Sequence, residues 1–259
     1  MTTDNGTTAR NGSPAYNVPA LEKSIDIIEL LSSTPAGLSM TEMAQQLGRS
    51  VSEIYRIVVV LERRGIVVKD ANLDKYSLSL RLFELAHRHP PTKRITIVAQ
   101  PILDDLARRT DQSCHLSVVD GDDLLILAIA ESLMPMHYSV RIGARFPLLE
   151  TSSGAVLLAY SDAAIVEQHL SRLAPVEQEE TRARLRRASI SGYERWASRV
   201  VTGVVNLASP VFDHGGTIVA AMTIPYLEQT YARMSIDDAL QALRESAMRM
   251  SERLGFKPA

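Results

Sequence analysis

Cysteine is almost missing from this chain: 259 residues carry one thiol, Cys114. One thiol can neither close an intrachain disulfide nor assemble a thiolate metal site, which fits a reducing, cytoplasmic setting. Long apolar runs are also lacking. The longest, Leu124–Ala130, is far short of the ~20 residues of a membrane span. The polar opening residues hold no apolar segment of the kind a signal peptide needs. Neither sign of charge dominates, with 28 Lys+Arg against 30 Asp+Glu and a formal net charge of −2. Coating nucleic acid or an anionic membrane through bulk charge is therefore excluded, and any such contact must be local.

Catalytic and metal motifs are equally scarce. There is no glycine-rich phosphate loop, catalytic triad or paired-carboxylate site, so no enzyme, cofactor or metal is expected. Cys114 and His115 are adjacent strand residues that point to opposite faces and cannot form a dyad; Cys114 reads as a small buried hydrophobe. His87-x-His89 has no third ligand beside it. The acidic turn Asp120–Asp123 lacks the spacing of a calcium loop. The basic run Arg182, Arg184, Arg186, Arg187 is offset by Glu177, Glu179 and Glu180, the pattern of an exposed, salt-bridged helix.

What is present is an ordinary globular composition, 46% hydrophobic with 13 Gly and 12 Pro, long enough for two domains. The fold class expected is α+β. Residues 1–18 form a polar tail, 19–88 a small helical domain, 89–110 a helix between domains, and 111–259 a sheet domain. The break is marked by Pro90-Pro91. In the connecting helix Ile95, Val98, Ile102 and Leu106 share a face, and Pro101 either bends it or marks a fresh start. Strands are predicted at Cys114–Val119, Leu124–Ala130, Met136–Ile142, Val200–Val205 and Val219–Ile224. Helices are predicted at Asp162–Leu173, Glu177–Ser189 and Ile236–Leu254.

The first domain is the more legible. One helix repeats Leu21, Ile25, Ile28 and Leu31. The next opens with the capping box Ser39-Met40-Thr41-Glu42 and buries Met43, Ala44 and Leu47; the third opens with Ser50-Val51-Ser52-Glu53 and buries Val51, Ile54, Val58 and Leu61. Ala44 lets two helices cross closely, Gly48 turns between them, and Ile54 plugs the shared core. Ile66–Lys69 and Lys75–Leu78 then flank Asp70–Asp74 as a hairpin. Helix-turn-helix plus hairpin is a winged helix, whose third helix can enter a major groove while the wing meets phosphate. Charge agrees: residues 1–48 hold two basic and five acidic side chains, residues 49–88 eight basic and five acidic. The candidate DNA contacts are Arg49, Ser50, Ser52, Tyr55 and Arg56 on the third helix, with Arg63, Arg64, Lys69 and Lys75 for phosphate. Each alone reads as a solvated surface residue; together, beside a wing, they point to a duplex.

These residues, in this order, resemble the IclR family of bacterial transcriptional regulators. The likeness is carried by Ala20-Leu21-Glu22-Lys23-Ser24, by Leu38 to Leu61 with Tyr55-Arg56, and by Tyr76-Ser77-Leu78. Further on it is carried by Arg141-Ile142-Gly143, Pro147-Leu148 before Thr151-Ser152-Ser153-Gly154, Gly192-Tyr193, and Gly203 with Ala208-Ser209-Pro210-Val211. It spans about Ala20 to Leu254. The resemblance implies a homodimer, often assembling further into a homotetramer, that binds an operator in double-stranded DNA. It also implies a linker helix and a GAF-like effector-binding domain, and control of catabolic genes, often as a repressor.

It implies an effector pocket as well, in which the amides of Ser152 and Ser153 cradle a carboxylate or carbonyl. Members that bind small acids carry an acidic residue after the Gly-Tyr pair, a cysteine three residues beyond the later glycine, and two serines on the late strand. This chain has Trp196, Asn206, Thr223 and Pro225 there. Those departures favour an effector with an aromatic or otherwise apolar body over a two- or three-carbon oxo-acid. Two other readings stay open: a ligand sensor whose winged helix docks protein, and a small-molecule enzyme working in the same pocket.

Overall fold

The computed structural model describes residues 18–70, 72–87, 90–230 and 233–257, which fall into two units divided between His89 and Pro90. The tail expected over 1–18, apart from Val18, lies outside the described residues, as do Ala71 of the wing turn and His89 of the His-x-His pair.

In the first unit, helices α1 (Pro19–Ser32), α2 (Met40–Gln46) and α3 (Val51–Arg63) precede strands β1 (Val67–Asp70) and β2 (Lys75–Leu78) and helix α4 (Arg81–His87). Both capping boxes form. Ser39 Oγ accepts from the Glu42 amide at 3.3 Å while the Ser39 amide donates to Glu42 Oε2 at 2.7 Å; the Ser50/Glu53 pair does the same at 3.4 and 3.2 Å. The hairpin pairs Val67 with Leu78 and Asp70 with Lys75, and Leu38 bridges to Tyr76 as a third short rung. Gly37 lies there at φ +68°, where an added Cβ would meet the Tyr76 carbonyl oxygen at 2.8 Å. Gly48, between α2 and α3, takes φ +62°.

Two burial expectations are corrected. α1 packs through Ile27 and Leu31, leaving Leu21 59% and Ile25 46% exposed, because the packed face is rotated from the predicted one. Val51 is exposed too, since the first turn of α3 projects past the core filled by Ile54, Val58 and Leu61.

The second unit begins with α5 (Pro90–Thr110), followed by β3 (Cys114–Asp120), β4 (Asp123–Ala130) and β5 (Arg145–Pro147). Then come α6 (Ser152–Ala159), α7 (Ala163–Leu170), α8 (Pro175–Ser191), β6 (Glu194–Ala197), β7 (Val204–Phe212), β8 (Ile218–Leu227) and α9 (Ile236–Arg253). The strands form one antiparallel sheet in the order β5-β4-β3-β8-β7-β6. On one face α5 and α9 bury Leu103, Leu106, Leu243 and Met250 against Cys114, Leu116, Met222 and Ile224. On the other, α6 and α8 cover Leu124, Ile126, Ala208 and Ala221. α5 runs unbroken through Pro101. The amide that proline lacks would have served the Ile97 carbonyl, on a turn exposed enough for water to replace it.

Three strand expectations change. Met136–Ile142 is irregular, because the β4 edge is taken by β5 and by the Ile126 pairing with Gly143 and Ala144. Residues 198–203 also form a loop, and β7 begins only at Val204. The edge strand β6 was not anticipated.

Candidate functional site

Two sets of residues carry the chemistry, one in each unit. On α3 and its two caps the exposed residues are Ser50, Val51, Ser52, Tyr55, Arg56, Val59, Val60, Glu62, Arg63 and Arg64. Arg56 Nε donates to the Ser52 carbonyl at 3.4 Å, and among the described residues no carboxylate pairs with its guanidinium. Arg63, Arg64 and Lys75 likewise have no ion-pair partner among the described residues. Lys69 differs, reaching Asp74 at 2.6 Å and lying 5.5 Å from the Tyr76 ring centroid; the Asp74 hydrogen bond pushes its ammonium pKa up.

Arg49 is turned inward. It meets Asp26 of α1 at 2.6 Å, just as Lys23 of α1 meets Glu53 at 2.7 Å. The Lys23 and Ser50 hydrogen bonds push the Glu53 carboxyl down to about 2. These two ties fasten α1 to the start of α3 and orient the helix. Of the nine residues grouped from the sequence, Ser52, Tyr55, Arg56, Arg63 and Arg64 are presented outward, Lys75 is half-buried, Ser50 is spent on its cap, and Arg49 and Lys69 have carboxylate partners.

The second set lies on the α6-covered face of the sheet. His115, Thr223, Asn206 and Pro225 come from three adjacent strands, where His115 pairs with Thr223 and Asn206 with Pro225. Thr151, Ser152 and Ser153 descend on them from the start of α6, and Ser153 Oγ lies 2.8 Å from Thr223 Oγ1. Thr151 caps the helix, its Oγ1 accepting from the Gly154 amide at 2.9 Å. Gly154 is required here: a Cβ would lie 1.8 Å from the Leu148 carbonyl oxygen. The walls are Leu124 and Phe146 together with Tyr138, Val140, Ser198 and Val200 from the two irregular segments. The cavity so enclosed measures about 50 Å³, room for a small head group and short of the ~300 Å³ at which pockets take drug-sized ligands.

Five of the six predicted pocket residues converge on this cavity, and Trp196 does not. It stands on the edge strand β6 opposite Asn206, stacks on Arg184 with the guanidinium carbon 5.1 Å from its ring centroid, and lines a neighbouring cleft of about 570 Å³. Arg184 is itself a correction, being buried rather than exposed. Its guanidinium forks onto Glu194 at 2.5 and 2.8 Å and donates to the Leu149 and Thr151 carbonyls at 3.1 and 3.0 Å. Burial pushes the Glu194 carboxyl up, opposed by the Arg184 pair. That fork ties the strap before α6 to β6 and so fixes the cavity roof.

His115 escaped the sequence grouping, although strand alternation already sets it opposite Cys114. Cys114 faces α5, where its thiol donates to the Leu103 carbonyl at 3.3 Å and burial pushes its pKa up to about 12. A buried thiol of that kind is not a nucleophile. Among the described residues, no helix is long and apolar enough to cross a membrane, and no three His, Cys, Asp or Glu side chains cluster as a metal would need.

Comparison with known proteins converges on both units. The IclR helix-turn-helix domain family matches residues 20–71, and the bacterial transcriptional regulator IclR C-terminal family matches residues 91–252. The transcriptional regulator KdgR of Escherichia coli is 27% identical over 227 residues, covering 85% of this chain and 86% of that protein. The transcriptional repressor AllR of Klebsiella pneumoniae is 26% identical, covering 96% and 97%. The crystal structure of the Thermotoga maritima IclR matches the fold with a TM-score of 0.75 at 24% identity, covering 93% of this chain and all of that one. An IclR homolog of Microbacterium hydrocarbonoxydans, crystallised with 4-hydroxybenzoate, matches with a TM-score of 0.76 at 22% identity, covering 91% and 98%.

Proposed function

Since the chain belongs to the IclR family of bacterial transcriptional regulators, we propose that it binds a pseudo-palindromic operator as a dimer and answers a small organic effector held in the α6-covered cavity. The observation that carries this reading is the presentation of α3: Ser52, Tyr55 and Arg56 face outward while Lys23–Glu53 and Arg49–Asp26 hold the helix from behind. A guanidinium that is exposed and without a carboxylate partner suits a guanine edge, and Arg63, Arg64 and Lys75 suit phosphate. Dimerisation is supported by the apolar side chains that the first unit leaves exposed, Leu21 and Ile25 on α1 and Leu80 and Leu85 around α4. We place its action in the cytoplasm and its targets among catabolic genes.

The effector we propose has a polar head and an aromatic or apolar body. The head suits Ser152, Ser153, Asn206 and Thr223; the body suits Pro225 and the apolar walls, and enters as the Tyr138–Val140 and Ser198–Val200 loops give way. The 4-hydroxybenzoate held by the Microbacterium homolog has this chemistry. Coupling to DNA runs through β3, whose Cys114 bonds α5 on the face opposite the cavity. Such coupling requires the effector to favour one arrangement of the dimer, by ~1–3 kcal/mol in typical cases.

The test is direct. Aromatic acids and amides, pyruvate and glyoxylate are screened by thermal shift, and each hit is added to a gel shift with the DNA upstream of the chain's own gene. A specific complex whose affinity changes with an aromatic hit supports the proposal. Preference for the two oxo-acids rejects the effector class, and a chain that binds no DNA better than random sequence rejects the regulator.

A further inference from the structure

The cleft beside Trp196 measures about 570 Å³, within the ~300–1,000 Å³ in which pockets take whole small molecules. One end of it is lined by Arg184 and Arg187 of α8, by Trp196 of β6 and by Arg199 just after that strand. Trp is among the more buried residue types on average, yet Trp196 is 38% exposed. Its ring is nonetheless held, because the guanidinium it stacks on is itself locked by the fork onto Glu194.

The charges along the cleft are uneven. Arg187 follows Arg184 by one turn of α8. Arg187 and Arg199 are exposed, and among the described residues neither guanidinium has an ion-pair or hydrogen-bond partner. Glu194 feels the Arg187 charge as well but is already taken by the Arg184 fork. Of the lining carboxylates, Asp122 is paired with Arg172, and Glu180 and Glu177 stand one and two turns before Arg184, toward the far end. Glu150, exposed on the strap, is the carboxylate left to oppose an anion, and two guanidinium groups outweigh it.

We propose that the Trp196 end of this cleft is a second small-molecule site and that it takes an aromatic carboxylate, the ring stacked on Trp196 and the carboxylate held by Arg187 and Arg199. A flat indole face favours a planar ring, and a guanidinium fork matches a carboxylate in charge and geometry. A neutral aromatic molecule gains the stacking alone and a non-aromatic acid the arginines alone, so the site selects molecules that carry both. The proposal does not rest on the effector reading. The strap parts this cleft from the α6-covered cavity, and Arg184 holds the strap through the Leu149 and Thr151 carbonyls.

The chain's single Trp makes the site visible. The full chain, labelled with 15N in its indole, gives one ring N–H signal. It is titrated at pH 7 with 2-naphthoate, whose two fused rings exceed the 50 Å³ of the other cavity, and separately with 2-naphthamide and cyclohexanecarboxylate. Naphthoate is expected to move the Trp196 signal to saturation and to bind about tenfold more tightly than either control. Arg187→Ala and Arg199→Ala, both at exposed positions that leave the fold intact, are each expected to weaken naphthoate by about fivefold, and added salt to weaken it further. An unmoved signal, equal affinity for the acid and the amide, or binding unchanged in the Arg187→Ala/Arg199→Ala double variant would each overturn the proposal. Loss of naphthoate binding in Thr223→Val but not in that double variant places the acid in the α6-covered cavity, which ends this proposal and leaves the effector reading standing. If naphthoate behaves as expected here while no ligand alters operator affinity, the cleft site stands and the effector reading fails.

Discussion

Replacing Arg184 by Met tests the strut on which the cavity roof depends. The side chain is 9% exposed and its partner Glu194 7%, so neither charge has water to fall back on. Arg184→Met strands a buried carboxylate, for which breaking a buried pair costs about 3–5 kcal/mol. It also removes the donors to the Leu149 and Thr151 carbonyls. For a unit of this size the expected fall in Tm is roughly 6–20 °C. The double variant Arg184→Met/Glu194→Met removes the stranded charge and should regain at least half, since an apolar pair in place of a buried ion pair is often neutral. It should not regain everything while two carbonyls lack their donors, at about 1–3 kcal/mol each if buried. pH adds a sign. With Arg184 gone, the upward push of burial on Glu194 is opposed only by the Ser152 hydrogen bond and by Arg187. The folded chain then binds a proton that the unfolded chain releases, so the deficit of the single variant shrinks toward pH 5 and grows toward pH 8. Urea unfolding followed by Trp196 reports on this unit alone, because the chain has one Trp. A single variant within 1 kcal/mol of the parent, or a double variant equal to the sum of its singles, would refute the strut.

On DNA, Arg56→Ala should cost about 1–3 kcal/mol on the operator and relax preference at one base pair, whereas Lys75→Ala should weaken all sequences alike and lower the salt slope by about one. Lys69→Ala should do less, because Asp74 already holds that ammonium; equal losses on every sequence from Arg56→Ala would remove its base-reading role. Gly154→Ala should destabilise the second unit by more than the ~1 kcal/mol that alanine gains in a helix, since its Cβ would fall 1.8 Å from the Leu148 carbonyl oxygen. Unfolding by Trp196 fluorescence at or above the parent midpoint would contradict the close approach.

The first unit was legible because its signals are local. A capping box spans four residues, and the Ala44 to Ile54 spacing encodes one helix crossing. What failed there was phase: Leu21 and Ile25 are apolar at helical spacing yet exposed, since periodicity shows that a stripe exists without showing what covers it. In the second unit the hairpin at Asp120–Asp123 was legible and the two irregular segments were not. Met136–Ile142 has strand composition, but another segment holds the β4 edge. The Arg184–Glu194 pair joins residues of α8 and β6 across a turn, and charge counting along α8 alone assigned Arg184 to solvent. Trp196 was grouped with Asn206 through the family likeness. They are indeed opposite each other, and only the closure of the cavity one strand earlier separates them. His115 was within reach: the alternation Cys114, His115, Leu116, Ser117 puts polar residues on the face away from α5, the face that carries Thr223.

The division between regular and irregular parts bears on what the cavity can accept. Its polar groups sit on β3, β7, β8 and the start of α6, positions fixed by ladder bonds, by the Ser153–Thr223 contact and by the Arg184 fork. Its movable walls, Tyr138, Val140, Ser198 and Val200, belong to irregular segments, tied to a strand only where the Ser198 amide donates to the Val204 carbonyl at 2.8 Å. Rigid elements hold a head group in one geometry, while loops change shape at little cost. A ligand larger than the present 50 Å³ therefore gains its room on the loop side. The Leu148–Thr151 strap separates this cavity from the Trp196 cleft and cannot yield without losing the Arg184 hydrogen bonds to the Leu149 and Thr151 carbonyls. Head-group chemistry is thus set by the sheet and α6, and body size by the two loops, so substitutions at Val140 or Val200 should alter which effectors bind without altering the charge of the group they must carry.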